Sequence, residues 1–90
     1  MEINLIKFGA PWCGQCKQQD LEIKRSETLS SIPLVVYDVD STDEDIIEEY
    51  QIRSIPVTIV KDGDTIVKKF TGLVKASELE KTINEYVESK

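Results

Sequence analysis

The chain of 90 residues contains no histidine and only two cysteines. The missing histidine excludes Ser-His-Asp and Cys-His catalysis, together with every histidine-ligated metal site. Two cysteines are too few for the disulfide frameworks that hold small secreted domains together. Long apolar runs are also absent. The longest uncharged stretch, Thr28 to Tyr37, carries Thr28, Ser30 and Ser31 before Ile32, and then Pro33. No segment therefore reads as membrane-spanning. The first residues, Met1-Glu2-Ile3-Asn4-Leu5-Ile6-Lys7-Phe8, have neither the basic region nor the apolar core of a secretion signal. A cytoplasmic location with no membrane contact is expected. Positive charge is scarce: 11 bases stand against 17 acids, a formal net charge of −6. Neutralising phosphates takes clustered lysine and arginine, so no nucleic-acid partner is expected. The charge balance suits a monomer.

What is present is ordinary for a globular chain. Hydrophobic residues make up 40% and charged residues 31%, too apolar for disorder. The length fits a single domain over residues 1–90 with a small core. Asp38, Asp40, Asp43, Glu44, Asp45, Glu48 and Glu49 crowd one segment, and Lys61, Lys68, Lys69 and Lys75 dominate a later one. Each run is either a solvated face or a docking surface, and the solvated face is the plainer reading.

The pattern predicts seven elements. Ile3 to Phe8 reads as a strand ending at Gly9-Ala10-Pro11. Gly14 to about Ser30 reads as one helix from its Gln, Glu, Lys and Leu content, although its apolar period is weak, since Leu21 and Ile23 cannot share a face. Leu34 to Val39 is a continuous apolar run, expected for a strand covered on both faces. Ser41-Thr42-Asp43-Glu44 has the form of a capping box before a short helix whose apolar face is Ile46, Ile47 and Tyr50. Val57–Val60 and Ile66–Phe70 are strands around Lys61-Asp62-Gly63-Asp64, a hairpin signal. The last helix, about Ala76 to Glu88, places Leu79, Ile83, Tyr86 and Val87 on one buried face. The order β-α-β-α-β-β-α implies a parallel first pair with a right-handed crossover. The expected α/β fold is a four-stranded mixed sheet with helices on both faces.

One motif carries chemistry, Trp12-Cys13-Gly14-Gln15-Cys16, where the first strand meets the first helix. With Cys13 at the helix N-cap, Cys16 falls at N3, one turn in, and the two sulfurs come within bonding reach. The Cys13 sulfur then faces the unpaired N–H groups of the first turn. Those dipoles favour its thiolate and lower its pKa, while Cys16 lies deeper and stays a thiol for longer. An exposed acidic thiol beside a buried one suits dithiol–disulfide exchange. Cys13 attacks a substrate disulfide, and Cys16 then attacks Cys13, releasing reduced substrate and leaving a Cys13–Cys16 disulfide. Two other readings stand beside this one. A zinc site would need two more ligands from a second chain, and two cysteines can share a helical spacing by chance.

The run Trp12-Cys13-Gly14-Gln15-Cys16-Lys17 after a strand resembles the active site of the thioredoxin family. Tyr50-Gln51-Ile52-Arg53-Ser54-Ile55-Pro56 is similar to that family's run into its cis-proline, and Gly72 follows Pro56 at the distance of the family's groove glycine. The likeness extends from Ile3 to Val87 and lacks the amino-terminal strand and helix of a full-length thioredoxin, so it implies a minimal thioredoxin fold. The resemblance implies that Pro56 is cis and that Trp12, Ile55, Pro56, Gly72 and Leu73 form an apolar apron for extended substrate around Cys13, with Gly14 and Gln15 supporting the site. Pro56 as a strand-initiating proline, Trp12 as a core aromatic and Gly72 as a strand-end glycine are the plainer readings.

Two departures from the family pattern stand out. Gln15 occupies the place of a proline, and its N–H adds a donor beneath the Cys13 sulfur. Lys7 stands where the family has a buried aspartate that helps move the proton of the second cysteine, and Val36 aligns with that aspartate's lysine partner, so the acid–base pair is expected to be missing. Lys7 either snorkels to the surface or lies near the cysteines, lowering their pKa or acting as a base for Cys16. Both departures are expected to make Cys13 more acidic and the couple less strongly reducing.

The resemblance implies a thiol–disulfide oxidoreductase that reduces disulfide-bearing proteins. It would bind no cofactor or metal, carry a redox-active Cys13–Cys16 disulfide, and receive NADPH electrons only indirectly through a thioredoxin-reductase-like flavoprotein. A glutaredoxin-like or ribonucleotide-reductase-dedicated donor is the alternative within this chemistry. Trp12 disfavours a glutathione user, as does Leu73-Val74 in place of paired acids. A redox-inert binding module is the alternative from another class.

Overall fold

In the computed structural model, which describes residues 1–89, alternation along the first strand sets up both sides of the sheet. Lys90, the last residue of the expected 1–90 domain, lies outside the described residues. Strand β1 (Ile3–Gly9) sends Leu5 and Lys7 to one side and Ile6 and Phe8 to the other, and all four are buried. The remaining elements are α1 (Gly14–Lys24), α2 (Glu27–Ser30), β2 (Leu34–Asp38), α3 (Glu44–Glu49), β3 (Val57–Asp62), β4 (Thr65–Thr71) and α4 (Ala76–Glu88). The sheet order is β2-β1-β3-β4. Strand β1 runs parallel to β2 and antiparallel to β3, and β3 pairs antiparallel with β4. This is the expected mixed sheet.

Each face carries its own core. Leu5 and Val60 meet Ile23 of α1, Leu29 of α2 and Leu79 and Ile83 of α4. On the other side, Ile6, Phe8, Val57 and Ile59 pack under Ile46, Ile47 and Tyr50 of α3. Burying each of these large side chains contributes about 1.5–3 kcal/mol. Phe8 also stacks on Tyr37 with ring centroids 5.0 Å apart, which ties β2 into the second core.

The structure corrects four expectations. The single helix to Ser30 breaks at Arg25. Ser26 Oγ accepts the Leu29 N–H at 3.1 Å, capping α2, and donates to Glu80 Oε2 at 2.6 Å. On an unbroken helix Ile23 and Leu29 would lie about 120° apart; the break lets both enter one core. Strand β2 is not covered on both faces. It is an edge strand, with Leu34, Val35 and Val36 exposed at 38%, 46% and 56%. Periodicity cannot separate a continuous apolar run at an edge from one in a sheet interior. The capping box does not form: Asp43 is the N-cap of α3 without a side-chain bond, while Ser41 and Thr42 donate to the Asp38 carbonyl and close the preceding turn. Val87 is exposed rather than part of the buried face of α4.

Helix α4 has no cap of its own, since Lys75 at the N-cap makes no side-chain bond. Glu22 of α1 supplies one, its Oε1 accepting the Ala76 N–H at 2.8 Å. That bond, with Arg25 beside it, holds the Glu22 carboxyl below its ordinary value against the cost of desolvation. A carboxyl lowered in the folded state adds stability above its unfolded pKa, and the contribution is lost as pH falls through the folded one. Thermal unfolding of wild type and Glu22→Gln from neutral pH to about pH 3 checks this. The gap between them is expected to be widest near neutrality and to narrow toward acid.

Candidate active site

The redox motif sits where β1 hands over to α1. The Cys13 N–H donates to the Ala10 carbonyl at 3.1 Å, turning the chain. Cys13 then takes an extended conformation (φ −93°, ψ 109°) as the N-cap of α1. Its Sγ accepts the Cys16 N–H at 3.1 Å, so a sulfur serves as the helix cap. Cys13 and Cys16 form a disulfide, with their Cα atoms 5.2 Å apart. Gly14 and Gln15, between them, are exposed. Among the described residues no group of cysteine, aspartate and glutamate side chains is arranged to hold a metal.

Glycine at position 9 makes this seating possible. A Cβ there would lie 3.1 Å from Cys16 Sγ, 3.2 Å from Cys16 Cβ and 3.3 Å from Lys7 Cε. A side chain there would crowd all three atoms, and the Cys16 and Lys7 side chains would have to give by a few tenths of an ångström. The expectation of an exposed Cys13 is corrected: it is 8% exposed and Cys16 2%. Val39 and Ile55 pack against the Ala10–Cys13–Cys16 cluster and cover the disulfide.

The expected apron is distributed over several levels. Trp12 stands out at 69% exposure, with its indole Nε1 donating to Asp40 Oδ2 at 2.8 Å. Trp12 shares an apolar cleft of about 370 Å3 with Val39, Ile47, Ile52 and the half-buried Ile55. The Ile55–Pro56 bond is cis. Pro56 is fully buried, so it lies beneath the apron and contributes none of its surface, a correction to its expected place. Its carbonyl accepts the Gly72 N–H at 2.8 Å. Gly72 has φ +90°, a conformation that side chains resist. Leu73 is exposed but lines a different cleft, with Gln18 and Leu21 on the outer side of α1.

Lys7 does not snorkel. It is 4% exposed, and its Nζ makes an ion pair with the Asp20 carboxylate of α1. The family's aspartate–lysine pair is absent, as expected, and an ion pair of Lys7 with Asp20 of α1 lies beneath the site in its place. Asp20 escaped sequence reasoning although it lies four residues after Cys16, on the same face of the helix.

Gln19 was missed for a similar reason. The buried stripe of α1 is Cys16, Gln19 and Ile23, while Leu21 faces solvent. A glutamine in that stripe hides the period. Gln19 is fully buried, donating from Nε2 to the Val74 carbonyl at 2.9 Å and accepting the Val74 N–H at 2.8 Å. It thereby fastens the Gly72–Val74 segment to the cysteine helix. Gln19→Leu leaves two buried backbone groups unpaired and is expected to cost about 2 kcal/mol in denaturant unfolding, with faster hydrogen exchange at the Val74 amide.

Comparison with known proteins agrees with this geometry. The family model described as Thioredoxin matches residues 1–85. A thioredoxin of Porphyra purpurea is 36% identical over 85 residues, covering 92% of this chain and 78% of that protein. A bifunctional thioredoxin reductase/thioredoxin of Mycobacterium leprae is 33% identical over 85 residues, covering 92% of this chain and 18% of that protein. Oxidised mitochondrial thioredoxin 3 of Saccharomyces cerevisiae superposes with a TM-score of 0.76 at 27% identity, over 93% of this chain and 78% of that one. With its cysteine pair joined at the head of α1, the chain belongs to the thioredoxin family and is a protein-disulfide oxidoreductase.

Proposed function

We infer that this protein is a reductant of protein disulfides in which Cys13 is the nucleophile and Cys16 the resolving thiol. The observation that carries the assignment is the capping bond from the Cys16 N–H to Cys13 Sγ. A sulfur at a helix N-terminus gains from the unpaired N–H groups and the positive end of the dipole. Cys13 is therefore the thiolate that attacks. Cys16, inside the first turn and more deeply covered, receives less of this stabilisation and acts second.

Substrate docks on Trp12 and Ile55, with the Gly72–Leu73 segment on the far side of Pro56. The oxidised protein is recharged with NADPH electrons through a thioredoxin-reductase-like flavoprotein. The fusion of the two functions in the Mycobacterium leprae relative supports that pairing. The chain acts as a single domain over residues 1–90, as a cytoplasmic monomer carrying electrons to disulfide-bearing proteins, with neither nucleic acid nor membrane as a partner. Its acidity supports the first exclusion. Among the described residues no helix is long and apolar enough to cross a membrane.

Insulin reduction in the presence of dithiothreitol tests the assignment. Cys13→Ser is expected to abolish it. Cys16→Ser is expected to retain the attack but to accumulate mixed disulfides, visible as trapped adducts on non-reducing gels. Full activity of Cys13→Ser would sink the mechanism. Gln15→Pro removes one N–H from beneath the Cys13 sulfur and is expected to raise the Cys13 pKa and make the potential more negative in a glutathione redox buffer.

A further inference from the structure

The resolving step requires Cys16 to lose a proton, yet its sulfur is buried and the chain has no histidine to accept one. Cys16 nevertheless lines an open cleft of about 280 Å3 in which Cys13 takes no part. The titratable groups facing that cleft are Lys7 from β1, Lys17 and Asp20 from α1, and Tyr37 and Asp38 from β2. From β3, Thr58 stands directly opposite Lys7. Its Oγ1 is the one buried side-chain polar atom without a hydrogen-bond partner among the described residues. The floor of the site is therefore polar, and within it the Lys7 ammonium contacts the Asp20 carboxylate. Lys7 Cε and Cys16 Sγ border the same methyl-sized space beside Gly9. Asp20 lies one turn beyond Cys16 on the same helix face.

We propose that Asp20 is a positioning residue for the exchange reaction: it anchors the Lys7 ammonium beside Cys16 and offsets its charge, and so sets the acidity of Cys16 and the balance between dithiol and disulfide. The inference rests on the assignment of Cys16 as the resolving thiol. A cation beside a thiol favours the thiolate and an anion disfavours it, and the buried Lys7 ammonium is screened less by water than the Asp20 carboxylate, whose side chain is 40% exposed. The paired charges act on one sulfur with opposite signs, so removing either member exposes the field of the other.

The reaction itself needs no further participant. The Cys16 S–H bond breaks and its proton passes to solvent through the cleft, whose mouth is marked by the 40% exposed side chain of Asp20. The Cys16 sulfur bonds to the Cys13 sulfur, and the bond from Cys13 to the substrate breaks. The electron pair leaves on the substrate sulfur, which takes a proton from solvent. The protein dithiol is oxidised and the substrate disulfide reduced.

The test compares Asp20→Asn, Lys7→Met and the double variant. The Cys16 thiolate is titrated by ultraviolet absorbance in a Cys13→Ser background, and the reduction potential is measured with both cysteines present. Asp20→Asn is expected to make Cys16 more acidic and the couple less reducing, shifting the dithiol–disulfide equilibrium about tenfold, or ~30 mV for two electrons. Lys7→Met is expected to shift both quantities the opposite way, and the double variant to return near wild type. Asp20→Glu restores the charge and is expected to restore the titration. Single-variant shifts of the same sign, or a Cys16 titration that neither variant moves, would overturn the proposal. Because that titration uses the protein alone, its failure is distinct from failure of the reductase reading, which shows as wild-type protein unable to reduce insulin.

Discussion

The rest of the structure depends on the contact between α1 and the end of β1 at Gly9. Position 9 has no side chain, which leaves room for Cys16 and the stem of Lys7 in the same space and lets the helix pack closely on the strand. That seating aims the first turn of α1 at Cys13 and makes a sulfur the helix cap. Backbone N–H groups that would otherwise lack partners become the source of thiolate stabilisation. The fold's need for a cap and the chemistry's need for an acidic thiol are met by one bond.

Around this contact, polar side chains hold the parts of the site in register. Gln19 pairs both backbone groups of Val74 and so connects the cysteine helix with the Gly72–Leu73 segment. Glu22, one turn further along, caps α4. Asp20 holds Lys7. Three residues of α1 thus reach three different parts of the molecule, the substrate-side loop, the last helix and the first strand. A helix with little apolar surface is fixed in place largely by buried hydrogen bonds and one ion pair, where loss of a partner costs more than the bond itself contributes.

Much of the fold was legible from pattern. Strands β1, β3 and β4, the hairpin and α4 fall close to where alternation, the Asp-Gly signal and the period of Leu79 and Ile83 put them. The errors have specific causes. Ser26 competes for backbone donors and ends α1 early, which the good helix formers around it conceal. Strand β2 has the composition of an interior strand but lies at an edge, because strand order depends on pairings far apart in sequence. The site was legible at Cys13 and Cys16, whose spacing and position carry their own geometry. It was illegible at Gln19 and Asp20, which look solvent-facing until the other side of the helix is known.

The sequence by itself determined that two cysteines would sit at a helix N-terminus, that histidine would play no part, and that a sheet with a hairpin would carry them. Those conclusions rest on local chemistry: spacing, capping and turn propensity act over a few residues. Only the tertiary structure decided which strands became the edges, that Pro56 lies beneath the apron, and that Lys7 is buried against Asp20. Each of these depends on what a side chain meets from a distant segment. The charge of a buried group is tolerable only when such a segment supplies its partner, and here the supplier is the same helix that presents the cysteines.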